Sequence, residues 1–229
     1  MEKFNHIELN NEVTKRGDNG FFKLEKDVEA IEEFLREVDF RTKKFSSEMK
    51  RLRYLVEENF YYNIFDKYIE DEILECLELA ANFKFEFKSY MAASKFYKDY
   101  ALKTNDKKQY LENFNQHVFI VAMYLADGDV ELAKELMIAM LEQRLQPATP
   151  TFLNSGRSRR GELVSCFLLE VGDSLNSINY IDSTAKQLSK IGGGVAINLS
   201  KLRARGESIK GIKGVAKGVI PVAKSLEQG

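Results

Sequence analysis

The chain has 229 residues, of which 44% are hydrophobic, and this is enough for a substantial core in one large domain or two smaller ones. Its formal net charge of −1 conceals an uneven distribution. Residues 156–229 hold twelve cations against six anions, a net charge of +6, whereas residues 1–155 carry −7. A basic part of this kind is typical of proteins that bind an anionic ligand. Its cations do not alternate with aromatic residues, so we expect no nucleic-acid partner.

The two cysteines, Cys76 and Cys166, are too few for a disulfide framework, and neither has neighbours at the spacing of metal ligands. We therefore expect a reducing compartment and no metal bound by this chain. The amino terminus lacks the pattern of a signal peptide, and no apolar run is long enough to cross a bilayer. A cytoplasmic protein without membrane contact is expected.

The first twenty residues are polar and glycine-containing, which predicts a loop. Further on, apolar residues recur at helical spacing. They predict helices over 25–38, 45–58, 66–82, 89–100, 107–126 and 129–143. Between the third and fourth helices, residues 83–88 alternate aromatic and charged side chains, and this short stretch is interpreted as a connector. The last two helices, separated by Asp127 and Gly128, predict a helical hairpin whose second helix is capped by Asp129.

Pro147 and Pro150 are expected to end the helical part, because proline lacks the backbone donor and disfavours helix at the residue before it. Beyond them the apolar pattern changes. It predicts a strand buried on both faces over 163–169, a helix from Asp173 to 190, a strand over 194–199 and a last helix starting near 214 or 215. The order predicts a βαβ unit with a parallel sheet. Because one such unit leaves its edges open, we expect this chain to be part of a larger fold.

Cys166 has two interpretations. In a run that is apolar apart from Ser165, a free cysteine is more often a small buried hydrophobe than a reactive group. The functional alternative is a thiol at a strand end that reduces or attacks a bound ligand. Cys76 lies on the apolar stripe of a helix and is interpreted as a core residue.

Other polar and glycine residues near Cys166 also have two interpretations. Three consecutive glycines at 192–194 match neither a P-loop nor a dinucleotide fingerprint, so they indicate either a helix end or a place where a ligand touches bare backbone. Asp173 and Ser174 indicate a helix N-cap, and a carboxylate there can also accept from a ribose hydroxyl. The arginines at 157, 159, 160, 203 and 205 are more often solvated charges than a specific site. The two histidines, at 6 and 117, receive no role.

Five blocks of the sequence carry a resemblance to a known family. They are LNNEV, FYKDYALKTNDKK, ADGDVELAKE, QPATPTFLNSGRSRRGELVSCFLLEVGDSLNSI and LSKIGGGVAINLSKLRARGESIKG. With them the chain resembles, over nearly its whole length, the large (α) subunit of class I ribonucleotide reductase. It is most similar to the class Ib form of Gram-positive bacteria and mollicutes. The resemblance favours the functional interpretation of Cys166 and of the glycines.

The resemblance implies a mainly α-helical amino-terminal region followed by the start of an α/β barrel, which has ten strands in the full-length family. It implies a truncated ATP-cone-like helical domain over 1–88, a helical scaffold over 89–150, and the beginning of the catalytic barrel over 151–229. Whether the first region binds a nucleotide is left open.

In the family, a pair of cysteines reduces the ribose 2′ carbon of a ribonucleoside diphosphate in a radical reaction and becomes a disulfide. Cys166 matches the first cysteine of that pair. Thr149, Ser165 and Gly194 match positions that contact the substrate through hydroxyls and unobstructed backbone.

The resemblance also implies an allosteric specificity site, at which a deoxynucleotide or ATP effector binds at the interface of two α subunits. Asp173, Arg203, Ile209 and Lys210 match its neighbourhood. An acidic residue near the sugar and cations near the phosphates suit such a ligand.

The implied partners are a second α subunit, a β subunit whose manganese or iron pair generates the radical, and an external dithiol of the thioredoxin or glutaredoxin kind. No radical cysteine, second redox cysteine or relay tyrosine is recognised in this chain. We therefore expect it to be inactive without a complementary carboxyl-terminal fragment. Two alternatives remain: a non-catalytic nucleotide-binding or assembly fragment of a split reductase, and a structural remnant.

Overall fold

The structure is a computed structural model that describes residues 4–158 and 161–228. The chain divides into two compact units, Met1–Arg160 and Gly161–Gly229. In its described residues the first unit is helical, and the second contains two strands with helices. A mainly α-helical region followed by the beginning of an α/β region confirms the predicted fold class.

The first unit is built around one helix that is apolar on nearly every side. Its helices are α1 (His6–Glu12), α2 (Glu25–Phe40), α3 (Glu48–Glu57), α4 (Glu70–Asn82), α5 (Tyr90–Lys95), α6 (Phe114–Ala126), α7 (Val130–Leu141) and α8 (Thr149–Asn154). Helix α6 packs against α4 and α7, and its residues from Val118 to Met123 have no exposed surface. An all-round apolar sequence of this kind is what a central core helix requires.

Three helix starts in the first unit differ from the prediction by three residues or more, and side-chain hydrogen bonds mark them. Helix α3 begins at Glu48 rather than near residue 45, with Ser47 Oγ accepting from the Lys50 N–H at 3.2 Å. Helix α6 begins at Phe114 rather than near residue 107, since the Asn113 side chain accepts from the Gln116 N–H and Gln116 accepts from the Asn113 N–H. Helix α4 begins at Glu70 rather than near residue 66, and the Glu72 carboxylate accepts from the Ile69 N–H at 3.0 Å. The predicted hairpin turn is confirmed, with Asp129 accepting from the Leu132 N–H at 3.0 Å.

The prediction of a loop over the first twenty residues is wrong in part, because α1 forms there. A helix of seven residues is not stable by itself. The buried His6 supplies tertiary contacts instead: its Nδ1 lies 2.8 Å from the Tyr90 hydroxyl and its Nε2 lies 2.8 Å from a Glu37 carboxylate oxygen.

Two further departures concern Pro150 and the fourth predicted helix. Pro150 does not end helical structure but lies in the first turn of α8, where a missing N–H costs nothing. The fourth predicted helix consists of α5, capped by Ser89, and a π-helical turn over Phe96–Tyr100. The connector over 83–88 forms no regular element, as predicted.

The second unit contains a parallel βαβ arrangement, as the sequence predicts. Its elements are β1 (Cys166–Glu170), α9 (Leu175–Lys190), β2 (Gly194–Asn198) and α10 (Val219–Glu227). The two strands pair from Cys166 opposite Gly194 to Glu170 opposite Asn198, and α9 packs against both. Ser174 caps α9 by accepting from the Ser177 N–H at 3.1 Å.

The expectation that the first strand is buried on both faces is wrong for the described residues. One face of the sheet is half-buried, and the other, which carries Cys166 and Leu168, is open, with Leu168 86% exposed. Within the second unit, one helix can cover only one face of a two-stranded sheet. The strand also starts three residues later than predicted, at Cys166.

The last helix starts at Val219 rather than near residue 214 or 215, because the preceding segment forms backbone pairs. Gly206 donates to the carbonyl of Ala216 at 3.0 Å, and Ala216 donates to that of Glu207 at 3.2 Å. Gly218, with a φ of 77°, then turns the chain into α10.

A glycine at the edge of the helical core offers a test of this packing. Gly156 has a φ of 76°, and an added Cβ would lie 2.7 Å from Ile120 Cγ1. Gly20 has a φ of 80°, and a Cβ added there would have no atom within 4 Å. We expect Gly20→Ala to cost about 1–2 kcal/mol for backbone strain, and Gly156→Ala about 1–3 kcal/mol more for the overpacked core. Urea unfolding of both variants measures the difference, and equal losses would contradict the packing around Ile120.

Candidate functional site

Three of the predicted substrate residues lie together at one end of the parallel sheet. Cys166 is the first residue of β1 and stands opposite Gly194, the first residue of β2. The Gly194 N–H donates to the Ser165 carbonyl at 2.6 Å. This bond starts the strand pairing, so the thiol, the serine and the bare glycine backbone are held in fixed register.

The side chain of Cys166 is exposed, whereas Cys76 is fully buried in α4. The interpretation of Cys166 as a buried hydrophobe is therefore wrong, and that of Cys76 as a core residue is right. Burial raises the pKa of the Cys76 thiol to about 11. Because the thiolate is the reactive form of cysteine, Cys76 is protected by both its packing and its pKa.

The glycine triplet ends α9 and also allows a close approach to β1. Gly192 has a φ of 89°, and the N–H groups of Gly192 and Gly193 donate to the carbonyls of Ser189 and Leu188. This pair of bonds is the Schellman form of helix end, which requires a left-handed residue. A Cβ on Gly193 would lie 2.2 Å from the Phe167 ring. The helix-end interpretation holds, and glycine is also required because the ring occupies the space of a side chain.

Thr149, the fourth predicted substrate residue, belongs to the helical unit. It is the first residue of α8 and is exposed. Its hydroxyl lies 3.3 Å from the hydroxyl of Tyr100. The hydroxyl therefore stands on the surface of the first unit with one tyrosine as its neighbour.

The acidic and basic residues predicted to bind an effector pair with each other. Asp173 accepts from Arg203 twice, from Nε at 2.7 Å and from the backbone N–H at 3.2 Å. Arg203 also donates through Nη1 to the carbonyl of Ser208 at 2.8 Å. The sequence predicted that Asp173 and Ser174 together cap α9, but Asp173 does not cap it. Asp173 instead fixes Arg203 and the loop that follows this arginine.

A cavity of about 370 Å³ in the second unit adjoins this ion pair. Asp173, Arg203 and Ile209 are among its lining residues, together with the ends of α9 and α10. Lys210 does not line it but occupies the tip of the turn between Ile209 and Ile212, with a φ of 50°. The cavity has apolar walls, the charged pair and one further cation, Lys217, a combination suited to a small polar ligand.

Sequence reasoning missed a cluster of buried charges in the helical unit. The carboxylate of Glu112, 1% exposed, accepts from the Tyr61 hydroxyl, from the Arg157 guanidinium and from the Leu102 N–H. His117 Nδ1 lies 3.0 Å from the same carboxylate. Arg157 was expected to be solvated and His117 to have no role, and both are buried here.

The cluster changes the protonation chemistry of Glu112. Burial by itself raises the pKa of a carboxyl group, but the Arg157 guanidinium and then His117 outweigh this effect. The pKa of Glu112 is held well below its usual value, so its charge persists at neutral pH. Neither a pattern of spacing nor the composition could reveal the cluster, since Tyr61 and Arg157 lie 51 and 45 residues from Glu112.

Two properties of the described residues bear on metal and membrane binding. Over 4–158 and 161–228, no three or more His, Cys, Asp or Glu side chains come together as a metal site would need. In the same residues, no helix has the length and the apolar character needed to cross a membrane.

Comparison with known families accounts for nearly the whole chain. Residues 6–85 match the ribonucleotide reductase N-terminal family, 86–160 the all-alpha domain of ribonucleotide reductase, and 164–229 its barrel domain. The chain belongs to the family of ribonucleotide reductase large subunits. The resemblance inferred from the five sequence blocks is thereby confirmed.

Several curated relatives of this reductase family are similar to the chain. Ribonucleoside-diphosphate reductase subunit alpha of Bacillus subtilis is 50% identical over 223 residues, which are 96% of this chain and 32% of that protein. The NrdEB subunit alpha of the same organism is 50% identical over 225 residues, 97% of this chain and 21% of that protein. The subunit alpha of Mycoplasma pneumoniae is 42% identical over 224 residues, 97% of this chain and 30% of that protein. The chain therefore spans about a fifth to a third of the length of these reductase relatives.

The contrast between the two cysteines of this reductase-family chain can be measured. We expect a maleimide to label Cys166 within minutes under native conditions and Cys76 only after unfolding, because burial and a raised pKa both protect Cys76. Mass spectrometry of peptides from the labelled chain locates the adduct, and Cys166→Ser serves as the control that abolishes native labelling. Native labelling of Cys76 at the rate of Cys166 would contradict the described burial.

Proposed function

We propose that this chain is the amino-terminal part of a ribonucleoside-diphosphate reductase alpha subunit and that Cys166 is one of its two redox cysteines. The observation that carries the proposal is the exposed thiol of Cys166, paired in register with the bare backbone of Gly194. A buried cysteine in this position would be inert. An exposed one beside a glycine strand end can meet a ligand at van der Waals distance.

The proposed reaction reduces the ribose 2′ carbon of a ribonucleoside diphosphate. Two cysteine thiols supply two electrons and two protons; the carbon–hydroxyl bond breaks, a carbon–hydrogen bond forms, and the hydroxyl leaves as water. The two sulfurs become a disulfide, which an external dithiol reduces again by thiol–disulfide exchange. Thr149 and Ser165 contribute hydroxyls to the substrate, and Gly194 contributes open backbone.

The partner thiol in this proposal is not Cys76, which is sealed in the helical core. We propose that the remaining part of the alpha subunit supplies it, together with the radical cysteine. The radical itself comes from a beta subunit with a manganese or iron pair, so no cofactor is assigned to this chain. A second alpha subunit completes the enzyme, which acts in the cytoplasm.

We further propose that the cavity beside Asp173 and Arg203 takes part in binding a nucleoside triphosphate effector. Ile209 provides an apolar wall and Lys210 a cation at the loop tip, while the net charge of +6 over residues 156–229 favours a polyphosphate. The ion pair serves to hold the loop from Arg203 to Ser208 in place, which leaves part of the guanidinium for a phosphate.

The effector cavity also supports a second candidate function. Because Asp173, Arg203 and Ile209 all line it, this chain has the elements of a nucleotide-binding module without any redox chemistry. A non-catalytic assembly fragment of a split reductase would keep this binding and need no reactive thiol. The two experiments below separate the candidates.

The redox assignment is tested by reassembly. This chain is mixed with the complementary carboxyl-terminal part of a reductase alpha subunit, a radical-bearing beta subunit and a dithiol, and deoxynucleotide formation is measured. We expect turnover with the unaltered chain and only background with Cys166→Ser, because serine cannot form the disulfide. Cys76→Ser, which changes a buried sulfur, is the matched control and should retain most of the activity.

The outcomes of the reassembly are distinct. Turnover that survives Cys166→Ser would refute the redox role. Absence of turnover in every combination, with intact effector binding, would favour the assembly fragment over the enzyme.

The effector site is tested by calorimetric titration of this chain with deoxynucleoside triphosphates. We expect saturable binding that Arg203→Ala weakens about tenfold or more, because a charge-assisted bond to phosphate and the support of Asp173 are both lost. Lys201→Ala is the control, since Lys201 pairs with Glu170 at 2.6 Å and does not line the cavity. Equal affinities of Arg203→Ala and the unaltered chain would remove Arg203 from the site.

A further inference from the structure

Helix α8 is too short to be stable by its own hydrogen bonds. It has six residues, from Thr149 to Asn154, and its N-cap residue, Ala148, offers no side-chain acceptor. Isolated helices of this length do not persist in water. The orientation of α8, and of the Thr149 hydroxyl on its first turn, must therefore come from contacts with the rest of the helical unit.

One such contact is a hydrogen bond from His117 to the backbone of α8. His117 Nε2 lies 2.8 Å from the carbonyl oxygen of Phe152, and the two rings meet edge to face with centroids 4.5 Å apart. This carbonyl is among the last four of the helix, which have no partner within it. Because a carbonyl only accepts, Nε2 must carry a proton.

Glu112 holds the imidazole ring from its other side. Its carboxylate oxygen lies 3.0 Å from His117 Nδ1, and this ring nitrogen also lies 3.1 Å from Arg157 Nη2. Nδ1 can donate to Glu112 or accept from Arg157, but it cannot do both. All three side chains are at least nine-tenths buried, so water does not compete for either bond. The ring is thus fixed with Nε2 directed at Phe152.

A second path leads from Glu112 to the other end of α8. The Arg157 guanidinium binds Glu112 and donates through Nη2 to the Tyr100 carbonyl at 3.2 Å. The hydroxyl of Tyr100 in turn lies 3.3 Å from Thr149 Oγ1. One buried carboxylate therefore supports both the carbonyl at the middle of α8 and the tyrosine beside its first residue.

We infer that Glu112 and His117 are positioning residues that orient α8 and thereby the Thr149 hydroxyl for the ribonucleotide substrate. The inference rests on the proposed function for what Thr149 contacts. The orientation of α8 by His117 does not depend on that function and can be measured separately.

Two substitutions of His117 separate positioning from ordinary core packing. His117→Gln sets an amide nitrogen close to the position of Nε2, from which it can donate to the Phe152 carbonyl. His117→Asn sets its amide near the position of Nδ1 and leaves that carbonyl without a donor. Both remove the aromatic ring, so a purely structural role of the ring predicts equal losses.

Amide hydrogen exchange of this chain provides the first measurement. The N–H groups of Phe152 and Ser155 bond to the carbonyls of Ala148 and Thr151 within and just after α8. We expect His117→Asn to speed their exchange about tenfold relative to His117→Gln, the effect of one lost neutral hydrogen bond. The Ala133 N–H in α7 should exchange equally in both variants. Equal exchange at Phe152 and Ser155 in the two variants would overturn the inference.

The second measurement is the KM of the reassembled reductase for a ribonucleoside diphosphate. His117→Asn should raise KM about tenfold with kcat changed less than about threefold, and His117→Gln should restore a KM close to that of the unaltered chain. Should His117→Asn not fold, Glu112→Gln replaces it, since the neutral amide weakens the hold on Arg157 and His117. Glu112→Gln should also raise KM.

Thr149→Ala distinguishes failure of the inference from failure of the proposed function. If Thr149→Ala raises KM while His117→Asn and Glu112→Gln leave it unchanged, the inference is overturned and the substrate role of Thr149 stands. If Thr149→Ala leaves KM unchanged, the proposed contact between Thr149 and the substrate is wrong. The part of the inference that concerns substrate binding is then wrong as well. The exchange data then decide whether His117 orients α8.

Discussion

The helical unit depends on one buried carboxylate, that of Glu112, which accepts several hydrogen bonds. Glu112 accepts from Tyr61, Leu102 and Arg157 and contacts His117. Tyr61 and Arg157 lie on segments far from Glu112 in the sequence. Burying a charge is unfavourable unless partners replace the lost water. The partners of Glu112 make the cluster specific, since an arrangement of these segments without them would leave the carboxylate unpaired in the core.

In the second unit the corresponding feature is an exposed thiol, that of Cys166. The Schellman end of α9 and the absence of a side chain at Gly193 let the chain turn sharply and start β2 beside β1. The pairing begins at Cys166 and Gly194, on the face of the sheet that α9 leaves uncovered. Backbone geometry rather than a polar network keeps the thiol exposed.

Several elements could be predicted from the sequence because their causes are local. The periodicity of apolar residues in α2 and α9, the Asp129 cap and the βαβ order each depend on residues within a few turns. The departures share the opposite cause. Helix α1 forms because His6 meets Glu37 and Tyr90, which are distant in sequence and invisible to any short window.

The candidate site divides in the same way. The sequence alone determined the family of this chain and its fold class, because long motifs such as the block around Cys166 are specific. It also supplied the residues proposed for the substrate and effector sites. Only the tertiary structure decided that Cys166 is exposed and Cys76 is not, that Asp173 pairs with Arg203, and that Glu112, His117 and Arg157 form one cluster. The physical reason is that burial and ion pairing are properties of segments brought together by folding, and no pattern within a single segment records them.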